Sequence, residues 1–123
     1  MKGKCILVFD DDADLLDIFK FLFEEKGWQV FVFNNCTDIA DKVRETDPDL
    51  ILMDNWIPPA GGIVATQEIK KTDNIKNIPV IYISANNNIK ELAEQAGADA
   101  YVAKPFEFHY LQQMAEELLN NNP

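Results

Sequence analysis

The sequence predicts an α/β domain: one doubly wound, five-stranded parallel sheet built as (βα)5, with strand order 2-1-3-4-5. Three observations predict it. Short apolar runs alternate strictly with longer amphipathic stretches, the pattern of strands buried on both faces by crossover helices. The chain has 123 residues, one domain's worth and enough to bury a core. Polar residues fall directly after the apolar runs, where parallel strands bring their carboxyl ends to one edge.

Each element has its own signal. Cys5–Phe9 is an apolar run of strand length. From Asp12 to Lys26, Leu15, Leu16, Ile18, Phe19, Leu22 and Phe23 form a helical stripe that Gly27 closes. Trp28–Phe33 is the second strand, and Thr37–Glu45 a shorter helix stopped before Pro48. Leu50–Met53 is the third strand, followed by the loop Pro58-Pro-Ala-Gly-Gly62 and a helix over Ile63–Lys71. Val80–Ile83 is the fourth strand, with a short helix over Ile89–Ala96 ending at Gly97. Ala100–Val102 is the fifth strand and Phe106–Leu119 the last helix, in which Leu111, Met114 and Leu118 share a core face. The crossover rule leaves few topologies, and the flavodoxin-like order suits this length. The domain is expected to occupy residues 1–120, with 121–123 a tail or the start of a linker.

Composition narrows the function. The net charge of −10 opposes direct binding of nucleic acid or an anionic membrane. No apolar run approaches a membrane span, and no signal peptide precedes the first strand. Cys5 and Cys36 lack metal-ligand spacing and read as reduced thiols of a cytoplasmic protein.

The residues after the strands carry the chemistry. Asp10 and Asp11 follow the first strand, Asp54 the third, Ser84 the fourth, and Lys104 lies just past the fifth. Strands one, three, four and five are consecutive in the order 2-1-3-4-5, so these residues converge at the switch point. Three carboxylates together raise each other's pKa unless a cation compensates. Few, short, hard-oxygen ligands suit Mg²⁺. Helix capping is the plainer reading of the acids, and it is the one adopted for Asp12 and Asp14.

These residues resemble the receiver domain of two-component response regulators, the CheY-like family. Ile6-Leu-Val-Phe-Asp-Asp-Asp12 is similar to its acidic first-strand motif, and Asp49-Leu-Ile-Leu-Met-Asp54 with Pro58 and Gly62 to its phosphoacceptor strand and loop. Ser84-Ala85 matches the hydroxyl-plus-small pair, and Ala96-Gly-Ala-Asp-Ala-Tyr-Val-Ala-Lys-Pro-Phe106 the fifth-strand signature. The resemblance implies that Asp54 takes a phosphoryl group from the phosphohistidine of a sensor histidine kinase or histidine phosphotransfer protein. It implies Mg²⁺ held by Asp11, Asp54 and the backbone carbonyl of Trp56, with Asp10 in the outer shell. Lys104 and Ser84 would contact the phosphoryl group. Ser84 and Tyr101 would form the switch, Tyr101 turning inward as Ser84 moves. Trp56, Ala85 and Asn86 would govern access to the site, and Lys104-Pro105 is a cis-peptide candidate. The output would be a changed surface read by a downstream protein; a phosphorylation-dependent dimer through the fourth and fifth helices stays open.

Some residues depart from the family or compete with this reading. Ser84 stands where Thr is commoner. Trp56 either shields an acyl phosphate or packs on the loop prolines. The stretch from Ser84 to Gly97 is short for the family by about two residues, roughly half a helical turn, which bears on the fourth helix as an output surface. His109, the only histidine, is a lone histidine on the last helix and reads as functionally bland rather than as a phosphodonor or metal ligand. Gly61-Gly62 lacks the Lys of a phosphate-cradling P-loop. The competing functions are an Mg²⁺-dependent aspartate-nucleophile phosphohydrolase, which Asp10-x-Asp12 mimics, and a pseudo-receiver with a dead site.

Overall fold

The computed structural model describes residues 3–120. The expected tail, 121–123, lies outside them. Strands β1 (Cys5–Phe9), β2 (Gln29–Phe33), β3 (Leu50–Asp54), β4 (Val80–Ser84) and β5 (Ala100–Ala103) alternate with helices α1 (Ala13–Glu25), α2 (Ile39–Thr46), α3 (Gly62–Lys71), α4 (Ile89–Ala96) and α5 (Phe108–Asn120). All strand pairs are parallel, in the order β2-β1-β3-β4-β5. Both the class and the order are those the sequence predicts.

The three inner strands are buried along their whole length, which is why they are continuously apolar rather than alternating. Their side chains divide between two layers with period two. Ile6, Val8, Leu50, Leu52, Ile81 and Ile83 face one side, with Leu16, Phe19 and Phe23 of α1 and Leu111 and Ala115 of α5. Leu7, Phe9, Ile51 and Met53 face the other, against Ile39 and Val43 of α2 and Ala65 and Ile69 of α3. Tyr82 joins Ile89, Ala93 and Ala96 of α4 on that second side.

The helix ends follow local chemistry. The Asp12 carboxylate accepts from the Leu15 amide at 3.1 Å and caps α1. Gly27 and Gly97 both take positive φ, +88° and +83°, just beyond α1 and at the end of α4.

Two helix starts differ from expectation by two residues, each with a cause. α2 starts at Ile39 rather than Thr37 because Asn35 claims the preceding turn. The Asn35 side-chain oxygen accepts from the Thr37 amide at 3.0 Å and from Lys42 Nζ at 2.7 Å. α5 starts at Phe108 rather than Phe106. The Phe106 ring stacks on Phe19 of α1, centroids 6.0 Å apart, so this residue packs sideways instead of opening a helix. On α1 the apolar stripe is wider than the sheet that covers it: Ile18 is 51% exposed.

The amino edge of the sheet is fastened by two aspartates. Asp49 Oδ2 accepts from the Cys5 amide at 2.8 Å. Asp99 Oδ2 accepts from the Val80 amide at 2.7 Å and from Lys70 Nζ at 2.8 Å. The carboxyl edge holds the polar cluster.

Candidate functional site

Four of the five strands, β1, β3, β4 and β5, deliver polar residues to the carboxyl edge, and backbone hydrogen bonds fix where they arrive. The Asp10 amide donates to the Phe33 carbonyl at 3.2 Å, the Asn55 amide to Ile83 at 3.0 Å, and the Lys104 amide to Ser84 at 2.9 Å. The ladder therefore runs one residue past the strands, into the residues that carry charge. Asp10, Asp54 and Ser84 are each 3% exposed or less. Burying such groups costs free energy unless they are paired and hydrogen-bonded.

They are. Lys104 reaches across from β5, its Nζ 2.8 Å from Asp54 Oδ1 and 3.3 Å from Asp10 Oδ2. Asp54 Oδ2 accepts from the Trp56 amide at 2.9 Å. Asp10 Oδ1 accepts from the Asp12 amide at 2.9 Å, so both Asp10 oxygens are engaged. One carboxylate oxygen from each of Asp10, Asp11 and Asp54 lies within 4.8 Å of the others, and Asp11 is exposed to solvent. Asp12, by contrast, is turned to the helix cap.

Three carboxylates face one ammonium, so the centre is deficient in positive charge. Burial pushes the Asp10 carboxyl above its ordinary value, and the Asp54 charge adds to this. The Asp12 amide and Lys104 oppose the shift without cancelling it. For Lys104, burial disfavours the ammonium. The hydrogen bond to Asp54 and the charges of both aspartates outweigh that and hold its pKa above the ordinary value. A hard divalent cation fits this donor set: clustered carboxylate oxygens, an excess of negative charge, and one open side at Asp11 for retained waters.

The remaining candidates differ in burial and in what they touch. Ser84 Oγ accepts from the Asn86 amide at 3.0 Å, leaving its own proton to donate. Ala85 is exposed and Asn86 half-buried. The Trp56 indole is 69% exposed, and Tyr101, on β5, is 40% exposed. His109 is exposed on the first turn of α5, away from the acids in the chain. The Lys104-Pro105 bond is cis, and so is Pro58-Pro59.

Two residues of the site's support, Tyr82 and Asn55, were not singled out from sequence, and Gly62 was read there only as part of the loop. Gly62 packs so tightly under the loop after β3 that a Cβ there would lie 2.6 Å from the Asp54 carbonyl oxygen and 3.0 Å from Asn55 Cα. Tyr82, fully buried in β4, donates its hydroxyl to Asn55 Oδ1. The available signal was a tyrosine inside an otherwise aliphatic buried strand, because a buried phenol requires a partner.

The model of the response regulator receiver domain family matches residues 6–116. The polar-differentiation response regulator DivK of Brucella anthropi is 33% identical over 104 residues, 83% of this chain and 85% of that protein. The receiver domain of the sensor histidine kinase PA1611 from Pseudomonas aeruginosa superposes with a TM-score of 0.88 at 27% identity, over 97% of this chain and 99% of that one. That structure has a magnesium ion coordinated in its active-site cleft. The receiver domain of the Francisella response regulator 1452 also gives a TM-score of 0.88 at 27% identity, covering 98% and 100% of the two chains.

Proposed function

Because this chain belongs to the response regulator receiver domain family of two-component signalling, we propose that it is a phosphoacceptor switch in which Asp54 carries the phosphoryl group. The observation that carries the reading is the burial of Asp54 at the end of β3, 2.8 Å from Lys104 and inside the cluster with Asp10 and Asp11. We take residues 1–120 as the receiver unit and the cytoplasm as its compartment. No helix among the described residues is long and apolar enough to cross a membrane.

In the proposed reaction an Asp54 carboxylate oxygen attacks the phosphorus of a phosphohistidine. A P–O bond forms, the P–N bond breaks, and the imidazole leaves with the electron pair and takes up a proton. Such transfer depends on position and charge rather than on acid–base chemistry. β3 supplies position, since its ladder and the Trp56 amide hold the carboxylate still. Lys104 supplies charge to the phosphoryl oxygens, and Ser84 donates to the attached group. Asp11, Asp54 and the Trp56 carbonyl would hold Mg²⁺, with Asp10 orienting the set from the outer shell. The ion would neutralise the charge that builds on the transferring oxygens.

The surface supports a reading of the partners. Leu15, Ile18, Phe19, Leu22, Pro105 and Phe106 line an apolar groove that opens beside Lys104. We place the phosphodonor, a histidine kinase or phosphotransfer protein, against it. Output would pass through Ser84 and Tyr101 to a downstream protein. The role is that of a signalling acceptor rather than a turnover enzyme. A phosphohydrolase would use Asp12 as its second carboxylate, and here that side chain caps α1.

Intact mass after treatment with acetyl phosphate and Mg²⁺ tests the proposal. The parent gains one phosphoryl group and Asp54→Asn gains none. Equal gain in both, or none in the parent, overturns it.

A further inference from the structure

We infer that Tyr82 is a positioning residue for the phosphoacceptor loop, acting through Asn55 to set the peptide that follows Asp54. The inference rests on the phosphoacceptor reading above and extends it to residues with no assigned role. Tyr82 sits in the middle of β4, opposite Met53 of β3 and Tyr101 of β5, with no exposed surface. Its ring packs among Ile89, Ala93 and Ala96 of α4, and Cε1 lies close under Gly62 at the start of α3. Its hydroxyl reaches the Asn55 side-chain oxygen, one residue beyond Asp54.

Asn55 is held at three points. Its amide donates to Ile83 at 3.0 Å, its carbonyl accepts from Gly62 at 2.9 Å, and its side chain accepts from Tyr82. The first two bonds are backbone bonds that any residue could make. The third depends on side-chain identity at both ends. Burial, and then the Asp54 charge, push the Tyr82 phenol up to about 12, so the hydroxyl stays a donor at physiological pH. A permanent donor fixes which end of the Asn55 amide faces the core. Asn55 in turn lies between the carboxylate of Asp54 and the Trp56 amide that hydrogen-bonds to it at 2.9 Å. The same phenol ring touches the α4 layer, so a shift of α4 displaces the residue beside the acceptor.

Tyr82→Phe keeps the ring and its packing and removes only the hydroxyl, leaving Asn55 Oδ1 without its donor. Magnesium affinity is read from tryptophan fluorescence, with thermal melting of the metal-free protein and the rate of mass gain from acetyl phosphate beside it. We expect Tyr82→Phe to bind magnesium about three- to tenfold more weakly, the size of one lost hydrogen bond, and to gain phosphoryl groups more slowly in proportion. Asn55→Ala gives a similar loss, and the double variant loses no more than either single one. A purely structural role for Tyr82 would lower the melting temperature and leave magnesium affinity at the parent's value. That result, or losses that add in the double variant, overturns the inference. Should the parent itself neither bind magnesium nor gain mass, the phosphoacceptor reading fails instead.

Discussion

At the residue scale, the site balances groups that are each costly to bury. Asp10 is the clearest case. Its raised pKa means that the fold binds the Asp10 proton more tightly than the unfolded chain does. Stability from this group is therefore largest at low pH. It falls as pH rises from the ordinary value of 3.8 through the folded-state value, and stays lowered above it. Asp10→Asn removes that slope. The metal-free variant should melt a few degrees higher than the parent at pH 7, about 1 kcal/mol in size, and bind magnesium more weakly. Melting curves at pH 4 to 8, with and without magnesium, check both halves. Lys104 has the same sense in a higher pH window. Its raised pKa contributes stability that is complete below 10.5 and disappears as pH climbs through the folded-state value. Trp56 presents a largely exposed indole two residues from Asp54. Removing it with Trp56→Ala should admit water and shorten the phosphoryl lifetime several-fold. Following the decay of the phosphorylated mass with time decides this, and an unchanged lifetime removes the shielding role.

At the scale of elements, the loop between β3 and α3 is tightly constrained. It must place Asp54, present the Trp56 amide to it, and turn into α3 within a few residues. Gly62 makes this close approach feasible. In Gly62→Ala the new methyl would overlap the Asp54 carbonyl oxygen and the Asn55 Cα, both backbone atoms that cannot swing aside. The expected cost is about 1–3 kcal/mol, seen in urea unfolding, together with weakened magnesium binding because Asp54 itself is displaced. The helices divide by role. α1 and α5 bury one side of the sheet, and α2, α3 and α4 the other. α4 has eight residues and rests on Tyr82 through small alanines, so little bulk separates it from the ring that touches Asn55.

For the whole molecule, the acids gathered at one edge predict that the stability of the fold depends on cations. A divalent ion that binds the folded site alone stabilises by mass action, about 2.7 kcal/mol at a concentration a hundred times its dissociation constant. Magnesium should therefore raise the melting temperature and EDTA reverse the rise, with Asp54→Asn responding least. The sequence alone determined the class, the strand order and the residues of the carboxyl edge. A parallel sheet announces itself by continuous apolar runs, and its strand ends coincide in space wherever the crossovers are right-handed. Asp10, Asp11, Asp54, Ser84 and Lys104 were readable for that reason, and the Asp12 cap from local spacing. Helix starts were less readable: Asn35 and Phe106 chose partners distant in sequence or across a turn over the helical pattern. Which oxygen Lys104 holds, which carboxyl is strained by burial, and what Tyr82 touches were settled only by tertiary structure. Those facts depend on distances of 3 to 5 Å between residues dozens of positions apart, and no local periodicity encodes them.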